Sequence, residues 1–356
     1  MTLRLARALG LVLLIGCGGA PSSYEVRFAA GQRAQAAGRH AEAAEAYDEA
    51  ARAPSAPKRD RQYAAYLSAM ELVSSGDVAH GAARLDAIAK AGGELAPQAR
   101  YDVILLHMRT HDPEVPAELD DLLRRWPNHG VAYPALQARL RLARDGGGEA
   151  AVLDYLRALA PAVAKTDSED RVAYDIAESL AALGRTQEAR DAFALVATRY
   201  PYPKPYFDDA LWRASQLDEA LGKPDAAVAD LERMLSALES STLPGTYIRP
   251  RFPDAGWRIA TLYRDKVGEK KKAAEAFDRY VDMFPDDVRR GEALWQRAKL
   301  LRELGDQDAA CGSLSRLLRV APDSRYVPCA IDRCPTLTRP ENSPAPKTCR
   351  AYITRD

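Results

Sequence analysis

Between Cys17 and Cys311 the chain holds no cysteine, and no histidine lies beyond His129. A zinc knuckle therefore has no ligands over most of the length, and Cys329-x4-Cys334 lacks the short pairing such sites use. No Cys-x-x-Cys supports a redox pair. Neither sign of charge is in excess, since 50 basic residues balance 50 acidic ones. No global field draws nucleic acid or an anionic membrane surface. The local cluster Lys266, Lys270, Lys271, Lys272, Arg289 and Arg290 is offset by Glu269, Asp286 and Asp287 and reads as a solvated helix face. No apolar run after residue 17 is long enough to span a bilayer. Alternating Val/Ile/Thr segments are missing too, which excludes a sheet. A phosphate loop, a Gly-x-Ser-x-Gly elbow and a glycine-rich dinucleotide turn are all absent. His107 and His111 are four apart, but Met108, Arg109 and Thr110 between them supply no glutamate, so they read as helix-end histidines. These absences predict a chain with no catalytic group, no metal, no cofactor and no nucleic-acid partner.

What is present is repetition. Between residues 173 and 322 one pattern recurs four times: an amphipathic run, a glycine turn, a second amphipathic run, and in three of the copies a proline stop. Tyr174, Trp212, Trp257 and Trp295 mark corresponding points, at steps of 38, 45 and 38 residues. Gly184, Gly222 and Gly305 fall ten positions after their aromatic, and Ala189, Ala227 and Ala310 fifteen. Gly268 and Ala273 are each one position late, which implies one extra residue in that turn. The glycines sit where a helix ends in a left-handed residue, and the alanines where two helices approach most closely. Alanine, leucine, arginine and glutamate dominate the composition and favour helix. Helical hairpins that cannot bury both apolar faces alone must stack and share a core.

At these residues the sequence resembles the tetratricopeptide repeat family. The resemblance is carried by Ala177-x6-Gly184-x4-Ala189-x3-Phe193-x7-Pro201, Gly222-x4-Ala227-x3-Leu231, Gly268-x4-Ala273-x3-Phe277-x7-Pro285 and Gly305-x4-Ala310-x3-Leu314-x7-Pro322. The register extends upstream to Phe28, Gly38, Ala43 and Tyr47, and then to Tyr66, Gly76 and Gly81. Between 95 and 165 the pattern weakens, with Tyr101 and Tyr133 as markers and Gly146-Gly147-Gly148 where a turn is due. The resemblance implies an all-α fold, a right-handed superhelical solenoid of about eight hairpins. Its regular part covers 166–325 and its partly degenerate part 24–165. The proline-bearing stretch 240–256 is too long for an ordinary turn and reads as an inserted loop.

The N-terminus carries a second resemblance. Arg4 and Arg7 precede an apolar run that ends in Leu14-Ile15-Gly16-Cys17. That run has signal-peptide proportions, and its end looks like a bacterial lipobox. The resemblance implies a leader over 1–16, a palmitate-bearing Cys17 and a small-residue tether over 17–23. Gly18, rather than aspartate, follows the cysteine, which in this family implies an outer-membrane destination. Several acyl chains anchor stably without a transmembrane helix.

Cys311, Cys329, Cys334 and Cys349 remain, all at the C-terminal end of an exported chain. An even number in an oxidising compartment reads as two disulfides, with three pairings open. The tail, 326–356, is too proline-rich for a regular helix. It is expected to fold over the open end of the array and to be stapled to Cys311 by one of its own cysteines.

In the tetratricopeptide family the first helix of each hairpin lines the concave groove. The resemblance puts Tyr174, Trp212, Trp257 and Trp295 on that face, as it does Phe28 and Tyr66, with Glu178, Gln216, Lys299 and Arg302 alongside. Aromatic residues there either contact a partner or pack between hairpins, and both readings stay open. The expected function is a non-enzymatic, lipid-anchored scaffold on the periplasmic face of the outer membrane, binding an envelope protein or peptide. Such lipoproteins resemble those of barrel assembly, secretin piloting and cell division. The alternative is the platform of a peptidoglycan-acting enzyme, for which the 326–356 tail is too short to supply a catalytic module.

Overall fold

The computed structural model describes residues 22–237, 251–339 and 341–354. The expected leader, Cys17 and the tether up to residue 21 lie outside the described residues, as do positions 240–250 of the inserted stretch. Helix accounts for nearly all regular structure, and no strand occurs among the described residues. The chain divides into two compact units, residues 1–142 and 143–356.

The first unit holds α1 (Ser23–Ala36), α2 (His40–Arg52), α3 (Lys58–Ser74), α4 (Val78–Ala91), α5 (Ala96–Arg109) and α6 (Val115–Arg125). Ser22 and Ser23, expected at the end of the tether, instead open α1. The Ser22 hydroxyl accepts from the Glu25 N–H at 3.2 Å and the Glu25 carboxylate accepts from the Ser22 N–H at 2.7 Å, so two orphan donors are satisfied reciprocally. Successive helices pack on one another, with Tyr47 and Leu85 fully buried between them. A further helix, α7 (Ala132–Leu159), contains the division between the units in its first arm and is broken at Gly147 and Gly148 (φ 67°).

In the second unit follow α8 (Glu169–Ala182), α9 (Thr186–Arg199), α10 (Phe207–Ala220), α11 (Pro224–Leu235), α12 (Arg251–Leu262), α13 (Lys270–Met283), α14 (Arg290–Glu303) and α15 (Gln307–Val320). Two local chemistries punctuate them. The first helix of each hairpin ends at a left-handed glycine, as at Gly184 and Gly222 (both φ 71°). The next N–H, of Arg185 or Lys223, closes back onto the carbonyl of Leu180 or Asp218 at 3.0 and 2.8 Å, satisfying a carbonyl the helix leaves orphaned. The second helices of three hairpins end instead where a proline follows. Tyr200, Phe284 and Ala321 precede Pro201, Pro285 and Pro322 with φ between −122° and −139° and ψ between 60° and 70°, outside the helical region that proline disfavours in its predecessor.

Three expectations need correction. The extra residue between Trp257 and Gly268 is not in the turn. It is absorbed in a π-helical last turn, Tyr263–Val267, so the closing bond runs from the Glu269 N–H to the Tyr263 carbonyl at 2.9 Å, one residue wider than at the other glycines. The inserted stretch is shorter than expected, because its end, Arg251–Gly256, is already helix. The tail is not wholly irregular either, since Val327–Arg333 forms α16 and Ala351–Thr354 a last turn, α17. Pro253 and Pro328 both lie in first turns, where the missing N–H has no helical partner to lose.

α16 begins five residues after Pro322, as α14 does after Pro285, and stops at Cys334 before Pro335 with a similar φ of −134°. It occupies the place of one further first helix. Val327, Cys329, Ala330 and Cys334 are buried with Leu314 and Leu317 of α15, and Ala345 and Ile353 complete the cover. The disulfides are Cys311–Cys334 and Cys329–Cys349, with Cα atoms 5.8 and 4.6 Å apart. One of them ties the tail to α15 and the other closes the tail on itself.

Candidate protein-interaction face

The marker aromatics lie on the first helices α8, α10, α12 and α14, and three of them share one mode of packing. Tyr174 stacks on Tyr206 at 4.9 Å between centroids and meets the edge of Phe193 at 5.4 Å. Trp257 is edge-on to Phe277 and Tyr280, with the Arg289 guanidinium 5.7 Å above its ring. Trp295 stacks on Tyr326 at 5.6 Å and is only 3% exposed. In each case the cover comes from the residue just before the next first helix: Tyr206, Arg289 and Tyr326. The rings lock one hairpin to its successor, and burial pushes the Tyr174 hydroxyl's pKa upward.

Sequence reasoning missed these covering residues because their types differ. The available signal was spacing, for they follow Tyr174, Trp257 and Trp295 by 32, 32 and 31 residues. The same positions and their neighbours carry polar contacts between adjacent hairpins. Arg289 reaches Asp254 at 2.7 Å, Arg251 pairs with Asp209, and Arg171 donates to the Tyr206 hydroxyl at 3.2 Å. One turn along, Arg213 grips Glu178 through two bonds of 2.8 and 3.1 Å, and Arg258 grips Glu219 likewise. Glu178 is thus already engaged.

Trp212 and Gln216 are brought together in a different setting. Trp212 is half-buried, Gln216 is exposed, and both line a cavity of about 230 Å³ with Ser215, Glu219 and Arg258. The Ser215 hydroxyl donates to the Trp212 carbonyl at 2.7 Å, and the neighbouring Gln216 makes no such bond. On α14, Lys299 and Arg302 lie one turn apart and half-exposed, and Arg302 Nη1 is a buried donor with no hydrogen-bond acceptor. The candidate residues therefore separate into locked rings (Tyr174, Trp257, Trp295), an engaged carboxylate (Glu178), a cavity pair (Trp212, Gln216) and a cationic pair (Lys299, Arg302).

Beneath the cavity helix lies a charge cluster that repeat counting does not reveal. Asp218 of α10 is fully buried and receives Arg190 Nε at 2.9 Å on both oxygens. Asp230 of α11 lies 3.7 Å from Arg190 Nη2 with its side chain 14% exposed, and its Oδ2 has no hydrogen-bond partner. Burial raises the Asp230 carboxyl to about 6; Arg190 opposes the rise and Asp218 adds to it. Elsewhere His107 is held by Glu118 at 2.8 Å, while His111 sits in a left-handed turn (φ 56°). Among the described residues no group of three or more His, Cys, Asp or Glu is placed to hold a metal ion.

Against known proteins, the tetratricopeptide repeat family model matches residues 171–201, 254–287 and 292–324. The second unit therefore contains tetratricopeptide repeats, the helical hairpins used widely as protein–protein interaction scaffolds. No curated protein matches the chain. Among solved structures, MamA (residues 41 to the end) from Desulfovibrio magneticus RS-1 is 18% identical, over 52% of this chain and 92% of its own, with a TM-score of 0.33. YrrB, described as a tetratricopeptide protein with an unusual peptide-binding site, is 13% identical over 60% and 97%, with a TM-score of 0.36. The pilF protein of Pseudomonas aeruginosa is 17% identical over 64% and 93%, with a TM-score of 0.35. These are likenesses of fold and nothing finer.

Proposed function

We propose that the chain is a non-catalytic scaffold, lipid-anchored through Cys17 on the periplasmic face of a bacterial outer membrane, that holds an envelope protein or peptide on the first-helix face of its second unit. The observation that carries the binding role is the cavity that Trp212 lines with Gln216. Tyr174, Trp257 and Trp295 are locked by the next hairpin, whereas Trp212 opens with the exposed Gln216 onto a cavity. A half-buried indole beside an unengaged amide offers apolar area and a donor–acceptor pair for a peptide backbone, at small entropic cost. Lys299 and Arg302, both half-exposed on α14, add two cationic side chains to the same face. The lipobox-like Leu14–Cys17 supports the envelope setting.

The test uses capture of partners from detergent-solubilised envelopes by the full-length chain. Trp212→Ala with Gln216→Ala is expected to weaken capture by about tenfold or more, the cost of about 1.4 kcal/mol or more at a binding hot spot, with a smaller loss of stability than Trp295→Ala because Trp212 is only partly buried against the core. Trp295→Ala, by contrast, is expected to destabilise the fold by about 3–5 kcal/mol, as an aromatic truncation in a core does. Undiminished capture by a folded Trp212→Ala/Gln216→Ala chain would refute the binding role of this face.

A further inference from the structure

The first unit has a cleft of its own, remote in sequence from the repeats just described. It has a volume of about 700 Å³ and lies between the first turn of α3 and the connection from α4 to α5. That is within the roughly 300–1,000 Å³ of small-molecule sites. Lys58, Arg59, Asp60, Gln62 and Tyr63 form one wall and residues 91–95 the other.

Three features of the walls bear on what would fit. Tyr63 is 46% exposed, yet its ring is held in place, 6.1 Å from Phe28, which in turn stacks on Tyr24 at 5.4 Å. The Tyr24 hydroxyl donates to the Asp60 carbonyl at 3.3 Å and so fixes the start of α3. The opposite wall is bare backbone, because Gly92 and Gly93 are consecutive left-handed residues (φ 74° and 97°). A Cβ at position 93 would meet the Gln62 amide only in ordinary contact at 3.6 Å, so it is the positive φ that calls for glycine there. Charge cancels, since Lys58 and Arg59 face Asp60 and Glu94, and Arg59 pairs with Glu94 at 3.2 Å.

An ionic ligand would need an unbalanced lining, whereas this lining sets balanced polar groups in a mainly apolar surface. A platform of one exposed aromatic face, flanked by the planar Gln62 amide and the Arg59–Glu94 pair, matches a neutral polyhydroxyl ring. The ring's C–H face lies on the aromatic surface, and vicinal hydroxyls take paired bonds from planar side chains. We infer that this cleft is a saccharide-binding site for a neutral pyranose, with Tyr63 as the stacking platform and Gln62 as the principal hydroxyl-binding side chain. The inference is independent of the partner-binding role of the second unit.

Saturation-transfer NMR on the full-length chain, with maltotriose and tri-N-acetylchitotriose as probes, tests it. At least one probe is expected to bind saturably with Kd of about 1 mM or tighter. Tyr63→Ala and Gln62→Leu are each expected to weaken that binding by about tenfold, and Tyr63→Phe to retain most of it. Tyr63 is exposed enough for circular dichroism to confirm that each variant folds. Absence of binding by both probes, binding unchanged in the two weakening variants, or equal loss in Tyr63→Phe and Tyr63→Ala would each overturn the assignment.

Discussion

Replacing Asp230 by asparagine should stabilise the protein at neutral pH, although it removes a charge lying 3.7 Å from an arginine. The reason is stoichiometry: Arg190 is already committed to the fully buried Asp218 and lies 3.6 Å from Asp191, so Asp230 is a third carboxylate on one guanidinium. Its carboxyl titrates at about 6 in the fold against an ordinary value of 3.8. A raised carboxyl means that the folded chain holds the proton more tightly than the unfolded one. Stability from this group is therefore greatest in acid, declines as pH rises from about 4 to about 6, and is constant above. At about 1.4 kcal/mol per tenfold, the whole decline amounts to about 3 kcal/mol. Asp230→Asn removes the titration and offers Asp218 an amide donor. Urea unfolding followed by circular dichroism should show the variant more stable than the parent by about 1–3 kcal/mol at pH 7.5 and nearly equal at pH 4. Because repeat arrays gain stability from local units and neighbour interfaces, hydrogen exchange over α9–α11 should show the same pattern locally. A variant that is less stable at pH 7.5, or an effect of the same size at both pH values, would refute the assignment.

Two further predictions concern packing and anchoring. A Cβ on Gly81 would lie 2.9 Å from the Ala69 carbonyl and 3.0 Å from the Val73 nitrogen, backbone that cannot swing aside. Gly81→Ala should therefore cost about 1–3 kcal/mol in thermal or urea unfolding, and a neutral result would mean that α3 and α4 approach less closely. Cys17→Ser should abolish metabolic labelling with palmitate and move the chain from the membrane fraction to the soluble one; retained label would contradict lipidation at Cys17.

The hairpins are legible in the sequence because their punctuation is local. A left-handed glycine and an X-Pro stop act within a turn of where they are written, so Gly184 or Pro201 can be placed without knowing what packs on them. The one-residue lag at Gly268 was legible as an insertion but not as a π-helical turn, since spacing gives the count and not the hydrogen bonds that absorb it. α16 was hidden by the proline content of the tail, because composition does not separate proline in a first turn from proline inside a helix. The cysteine pairing needed the third dimension, as the four cysteines lie on α15, on α16, at its end and in the coil beyond.

The face itself was read only in part. First-helix periodicity located Trp212 and Gln216, but the same periodicity placed Trp295, which is covered, on equal terms. Tyr174, Trp257 and Trp295 take cover from the next hairpin, by tyrosine at 206 and 326 and by arginine at 289, whereas the corresponding position after Trp212, 250, lies outside the described residues. Tyrosine and arginine do the same job there, since either presents a flat group to a ring. A search for one residue type does not find such a position.

The central claim is that the partner sits on the first-helix face beside Trp212. A photo-reactive amino acid placed at Gln216 in the full-length chain, with a control at Glu275 on α13, tests it in intact cells. The account predicts one discrete protein adduct from position 216, lost on Trp212→Ala and absent from position 275. Equal crosslinking from both positions, or an adduct at 216 indifferent to Trp212, would contradict it.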